Sequence, residues 1–75
     1  MPEFKNNPEI VDALLSAIAS IQFGADNVDE ETEAKLGNIQ DRVRVEKAYT
    51  DSDIGYVRQA ADDFGVILAT PLPEI

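Results

Sequence analysis

The sequence contains no cysteine, no histidine and no tryptophan. Without cysteine the chain has no disulfide framework, no thiolate nucleophile and no Cys-type zinc site. Without histidine it lacks the commonest general base and the commonest metal ligand of proteins. Because these absences remove most catalytic and metal-binding templates, we predict a protein that is not an enzyme and that carries no cofactor or metal.

Basic residues are scarce as well. The chain has 6 Lys and Arg residues against 15 Asp and Glu residues, which gives a formal net charge of −9. The phosphate backbone of a nucleic acid repels a chain of this charge, so we expect no direct nucleic-acid binding. The remaining composition is that of a globular protein, with 44% hydrophobic residues in 75. We therefore predict a single domain over residues 1–75, with extended tails at 1–7 and 71–75.

Long hydrophobic runs are also missing. The longest apolar segment, residues 10–23, is interrupted by polar residues and is shorter than the ~20 residues that a membrane span needs. The first residues contain no basic region leading into an apolar stretch, so they do not resemble a secretory signal. These features predict a cytoplasmic protein without membrane attachment.

The first helix is predicted from Pro8 to about Phe23. Asn7 suits the N-cap, Pro8 suits the first helical position, and Gly24 suits a left-handed C-terminal cap. The apolar residues fall on one face about 140° wide, which can contact more than one neighbour. We assign four of them to the core or to self-association, and we expect a homo-oligomer. These four residues are Ile10, Leu14, Ile18 and Ile21.

An acidic cluster follows the first helix. Asp29 can cap a second helix, and negative charge is favoured in the first turn of a helix by the helix dipole. The same residues can instead form a contact surface for a partner protein, and we take them as the candidate partner-binding site. They are Asp26, Asp29, Glu30, Glu31 and Glu33.

Residues 42–49 alternate between apolar and polar side chains, which is typical of a half-buried strand. We therefore end the second helix near Asp41, and the main alternative is one helix from Asp29 to Tyr49. A third helix is predicted from the cap residues 50–53 to about Phe64 and is closed by Gly65. The apolar run at 66–70 predicts a second short strand.

These elements predict an α+β fold, mostly helical, in the order helix-helix-strand-helix-strand. The alternative is an all-α three-helix bundle. Asp51, Asp53 and Gly55 have the spacing that opens a calcium loop, but the fifth, sixth and twelfth positions do not carry the required residues. Helix capping is the better interpretation of these acids.

From charge and composition we predict a non-enzymatic acidic regulator or inhibitor that binds another protein, one with a basic surface. The alternatives are a structural self-assembling element and a nucleic-acid-mimicking inhibitor of a DNA- or RNA-binding protein. Mimicry requires the acids to lie along one side of the molecule. These acids are Asp26, Asp29, Glu30, Glu31, Glu33, Asp51, Asp53, Asp62 and Asp63.

Overall fold

The computed structural model describes residues 3–68 and Leu72. Within this part of the chain there are three helices: α1 (Pro8–Gly24), α2 (Glu30–Glu46) and α3 (Asp51–Asp63). The same residues form no strand, although an isolated antiparallel bridge joins Lys5 to Tyr49. The α+β prediction is therefore wrong, and the described residues form a small all-helical domain of three helices.

Helix α1 begins as the sequence predicts and ends differently. The Asn7 side chain accepts a hydrogen bond of 3.0 Å from the backbone N–H of Glu9, and Pro8 occupies the first turn. At the other end Gly24 is still helical, and the cap is Ala25 in an extended conformation. The prediction of a left-handed Gly24 is wrong because the chain leaves the helix through Ala25, which needs no positive φ.

Helix α2 continues through most of the segment predicted as a strand and ends at Glu46, so the strand prediction for residues 42–49 is wrong. Side chains two positions apart point in opposite directions on a helix, about 200° around its axis. Accordingly, Val43 is fully buried, whereas Val45 is 76% exposed. The C-cap is Lys47, which takes the left-handed conformation with φ 55°, so the alternative helix to Tyr49 is too long.

Helix α3 ends in a Schellman motif, which matches the predicted closure by Gly65. Gly65 has φ +67°, and the backbone N–H groups of Gly65 and Val66 donate to the carbonyls of Asp62 and Ala61 at 3.2 and 2.8 Å. Residues 66–68 then form no strand, because Val66 and Leu68 pack against the helices instead of pairing. The rest of the predicted strand, and the predicted tail 71–75 apart from Leu72, lie outside the described residues.

The core is made by all three helices and by Tyr49, which is 1% exposed. Helix α2 runs antiparallel to the other two. The end of α1 lines one groove with the residues that follow α3, and Asp29, just before α2, lines another groove with Asp63 at the end of α3. The C-terminal ends of α1 and α3 therefore lie beside the N-terminal end of α2, at one end of a molecule 31 Å in its longest dimension.

Candidate functional site

Seven exposed acidic residues gather at this end of the molecule, which we call the acidic end. All five sequence-predicted partner-binding residues lie there, at and just before the start of α2. Helix α3 adds two more acids from its last turn, so the antiparallel packing of α2 against α3 enlarges the cluster. The seven residues are Asp26, Asp29, Glu30, Glu31, Glu33, Asp62 and Asp63.

Two of these acids have local structural roles. The Asp29 carboxylate accepts a hydrogen bond of 3.3 Å from the backbone N–H of Thr32, and this bond lowers the pKa of Asp29. The Asp63 carboxylate accepts a hydrogen bond of 2.8 Å from the side-chain amide of Gln59. All seven acids of the acidic end are exposed, so their carboxylates are accessible to solvent.

Two large apolar side chains are exposed at the same end. Phe23 is 89% exposed and Ile67 is 93% exposed, and both line a surface groove of about 540 Å³ between the end of α1 and the loop after α3. Gly24 and Gly65 form part of the groove wall. An aromatic and an aliphatic side chain in one exposed groove are typical of an interaction surface.

Sequence reasoning missed both of these residues. At 100° per residue Phe23 falls outside the apolar arc of the first helix, and this position is the signal that marks it as exposed. The apolar run at 66–70 predicts instead that Ile67 is buried in a strand, which is wrong. No local signal distinguishes Ile67 from its neighbours Val66 and Leu68, because its exposure depends on how the loop folds back on α3.

The helix ends add to the negative potential of the groove. Neither α1 nor α3 has a basic residue in its last turn, whereas α2 has Arg44 there, at the opposite end of the molecule. The C-terminus of a helix carries the equivalent of roughly half a negative charge. Two uncompensated helix C-termini therefore converge at the groove that contains Phe23 and Ile67.

The opposite end of the molecule is held together by an ion pair between α2 and α3. The Arg42 guanidinium donates to both oxygens of Asp53, from Nη1 to Oδ2 at 2.6 Å and from Nη2 to Oδ1 at 3.1 Å. Asp53 Oδ2 also accepts from the backbone N–H of Thr50 at 2.9 Å, and the Thr50 hydroxyl accepts from the backbone N–H of Asp53 at 3.2 Å. These reciprocal bonds form a capping box at the start of α3.

The charge state of Asp53 follows from these contacts. Burial by itself raises the pKa of Asp53, but the hydrogen bonds from Arg42 and Thr50 outweigh that effect and hold the pKa below its ordinary value. The bond to Asp53 in turn raises the pKa of Arg42. The carboxylate is therefore charged at neutral pH, as expected for a structural ion pair and in contrast to a general acid.

The segment before α1 is tied to the same end. The backbone of Lys5 exchanges hydrogen bonds of 2.8 and 2.9 Å with Tyr49, and Lys5 Nζ lies 2.9 Å from Asp51 Oδ1, a contact that raises the pKa of Lys5. The Phe4 ring lies 5.6 Å from the Arg42 guanidinium. Part of the predicted N-terminal tail is thus held in place, and the acids Asp51 and Asp53 have cationic partners.

The structure separates the nine acids on which the hypothesis of nucleic-acid mimicry depends into two groups. Asp51 and Asp53 are paired at one end, while the other seven lie at the acidic end. The same pairing uses the oxygens that the calcium-loop spacing offered. No group of three or more side chains suited to hold a metal ion occurs in the part of the chain that the structure describes.

The residues predicted for core or self-association are placed inside the molecule. Leu14, Ile18 and Ile21 are fully buried, and Ile10 is half-buried against the core. Their apolar face therefore packs against α2 and α3 of the same chain.

No protein-family model matches the chain, and no curated protein or solved structure resembles it significantly. Among the described residues no helix combines the length and the apolar character that crossing a membrane requires. The functional inference therefore depends on the chemistry of the surface.

Proposed function

We propose that the protein is a non-enzymatic regulator or inhibitor that binds another protein through its acidic end. The observation that carries this proposal is the coincidence, at one end of the domain, of seven exposed acids with the two most exposed large apolar side chains, Phe23 and Ile67. Apolar residues supply affinity at such a surface, and charges supply orientation and a fast association rate.

The distribution of charge supports a partner with a basic surface. Four of the 6 basic residues lie at the opposite end, and three of these are in ion pairs with acids. The acidic end concentrates seven exposed acids, so its field attracts cationic partners at a distance of about one Debye length, roughly 8 Å in physiological salt. The four basic residues at the opposite end are Lys5, Arg42, Arg44 and Lys47.

The two alternative functions have less support. Nucleic-acid mimicry requires an extended row of charges, and the ion pairs of Asp51 and Asp53 interrupt it. Self-assembly through α1 requires an exposed apolar face, whereas Leu14, Ile18 and Ile21 are buried and Ile10 is half-buried. We expect the protein to act in the cytoplasm, because the absence of cysteine is compatible with a reducing compartment.

The test is capture of partners from the native cell with three forms of the protein, followed by mass spectrometry. The forms are the natural chain, a variant with Glu30→Lys and Glu31→Lys, and a control with Glu9→Lys and Asp12→Lys. Both variants raise the net charge by the same amount, and both replace exposed residues near the start of a helix. The control residues, however, lie at the end of the molecule opposite the acidic end.

We expect a partner that the natural chain and the control capture and that the Glu30 and Glu31 variant loses. We also expect its binding to weaken as salt is raised from about 0.05 to 0.5 M, because exposed charges are screened. Circular dichroism of each variant confirms that it is folded. Equal capture by all three forms would contradict the proposal.

A further inference from the structure

The groove between the C-terminal ends of α1 and α3 provides a specific docking site. Phe23 and Ile67 are exposed on it, with Ser20 and Val66 beside them. Because Phe23 and Ile67 are 89% and 93% exposed, most of their apolar surface contributes no burial free energy in the free protein. A partner side chain placed between them recovers part of that free energy.

The charges around the groove determine which side chains can accompany an apolar one. The C-terminal ends of α1 and α3, which carry partial negative charge, lie at the groove. Neither helix has a basic residue in its last turn. Asp26 follows α1 by two residues, and Asp62 and Asp63 belong to the last turn of α3. A lysine or arginine next to the apolar side chain is therefore attracted by these carboxylates and by the negative ends of the two helices.

We infer that this groove binds a cationic amphipathic segment of the partner protein, with an apolar side chain between Phe23 and Ile67 and Lys or Arg residues against the surrounding acids. The inference rests on the proposed function and specifies the partner's chemistry. A second copy of the chain does not fit, because two copies with a net charge of −9 each would bring like charges together at this end.

The test uses titration calorimetry with three synthetic peptides of about 15 residues, a length at which a helix is marginally stable. The first has Leu and Lys at helical spacing, the second replaces Lys by Glu, and the third replaces Leu by Ser. We expect the first peptide to bind, the second not to bind, and the third to bind at least about tenfold more weakly.

Protein variants locate the site. Phe23→Ser and Ile67→Ser should each weaken binding of the Leu-Lys peptide about tenfold, because each removes one apolar contact at the centre of the interface. Val45→Ser is the matched control, since Val45 is 76% exposed but lies at the opposite end of the domain. Its affinity should equal that of the natural chain.

Three outcomes would overturn the inference. Equal binding of the Leu-Lys and Ser-Lys peptides, or equal affinity of the Phe23 and Val45 variants, would show that charge alone binds and that the groove is not a site. In both cases the proposed function would still stand if the capture experiment finds a salt-sensitive partner that the variant with Glu30→Lys and Glu31→Lys no longer binds. Concentration-dependent dimerisation abolished by Phe23→Ser would instead make a second copy the occupant.

Discussion

The substitution Asp53→Asn removes the ion pair between α2 and α3 while it preserves the shape of the side chain. In the natural chain the Asp53 carboxylate accepts two hydrogen bonds from Arg42 and one from the backbone of Thr50. An asparagine keeps one acceptor oxygen and places an amide donor against the guanidinium. The bidentate contact therefore becomes a single hydrogen bond from the charged guanidinium to a neutral amide oxygen, and Arg42 loses its counter-charge.

We expect this change to lower the free energy of unfolding by about 2–3 kcal/mol. Removing one partner of a fully buried ion pair costs about 3–5 kcal/mol. Here the Asp53 side chain is 9% exposed but that of Arg42 is 29% exposed, so water can partly solvate the stranded cation and reduce the loss. A domain of this size has a total stability of about 4–11 kcal/mol, so the loss is a large fraction.

Urea denaturation followed by circular dichroism at pH 7 measures the effect. The control is Asp41→Asn, which breaks the exposed pair between Asp41 and Arg44, whose side chains are 69% and 64% exposed. Exposed pairs contribute about 0–1 kcal/mol, so the control should change little. A loss for Asp53→Asn no larger than the control's would refute the assignment of this pair as a structural contact.

The pH dependence supplies a second check on the same pair. The folded pKa of Asp53 is lowered, so its contribution is present above the unfolded pKa of about 3.9 and is lost as pH falls through the folded pKa. The difference in stability between the natural chain and Asp53→Asn should therefore be constant from pH 5 to pH 8, within about 0.3 kcal/mol, and should shrink below about pH 4. A difference that stays constant from pH 5 down to about pH 2 would contradict the account.

Three further predictions concern the helices and the core. Lys47→Gly should raise the unfolding free energy by about 0.5–1 kcal/mol in urea denaturation, because Lys47 has φ 55° and glycine adopts that conformation without strain; Lys47→Ala should give no gain. Gly37→Ala should stabilise the interior of α2 by about 0.5–1 kcal/mol, since a Cβ there meets nothing within 4 Å, whereas Gly65→Ala, at φ +67°, should lower the melting temperature. Ile18→Ala should destabilise the domain by about 3 kcal/mol, as expected for a fully buried residue; unchanged stability would show that Ile18 is not in the core.

The helices could be predicted from the sequence wherever local chemistry decides the structure. The caps at Asn7, Asp29 and Thr50 lie where short polar side chains precede acidic first turns, and the structure has all three helices beginning there. The C-terminal ends were less predictable. The sequence predicts a left-handed residue at Gly24, whereas the structure has one at Lys47, two residues before the buried Tyr49.

The false strand at residues 42–49 shows how a short pattern can mislead. Val43 and Val45 suggest one apolar face of a strand, but only Val43 continues the helical series of Leu36 and Ile39 into the core. That series extends over the preceding two turns. The tertiary contacts of α2 therefore outweigh both the alternation and the cost of Gly37, about 1 kcal/mol.

The candidate site could be predicted in part. The five acids near the start of α2 are adjacent in the sequence, so their exposure and clustering follow from local reasoning. Asp62 and Asp63 join them, and Phe23 and Ile67 come together, only because α2 runs antiparallel to α1 and α3. That arrangement is a long-range property, which no local pattern encodes.

Hydrogen exchange of the protein in complex with its captured partner tests most directly which end of the domain binds. We predict slower amide exchange on binding in the last turn of α1, the first turn of α2 and residues 63–67, with the segment around Lys5 and Tyr49 unchanged. Protection confined to the Lys5 and Tyr49 end, with the acidic end unaffected, would contradict the assignment of the acidic end as the binding surface.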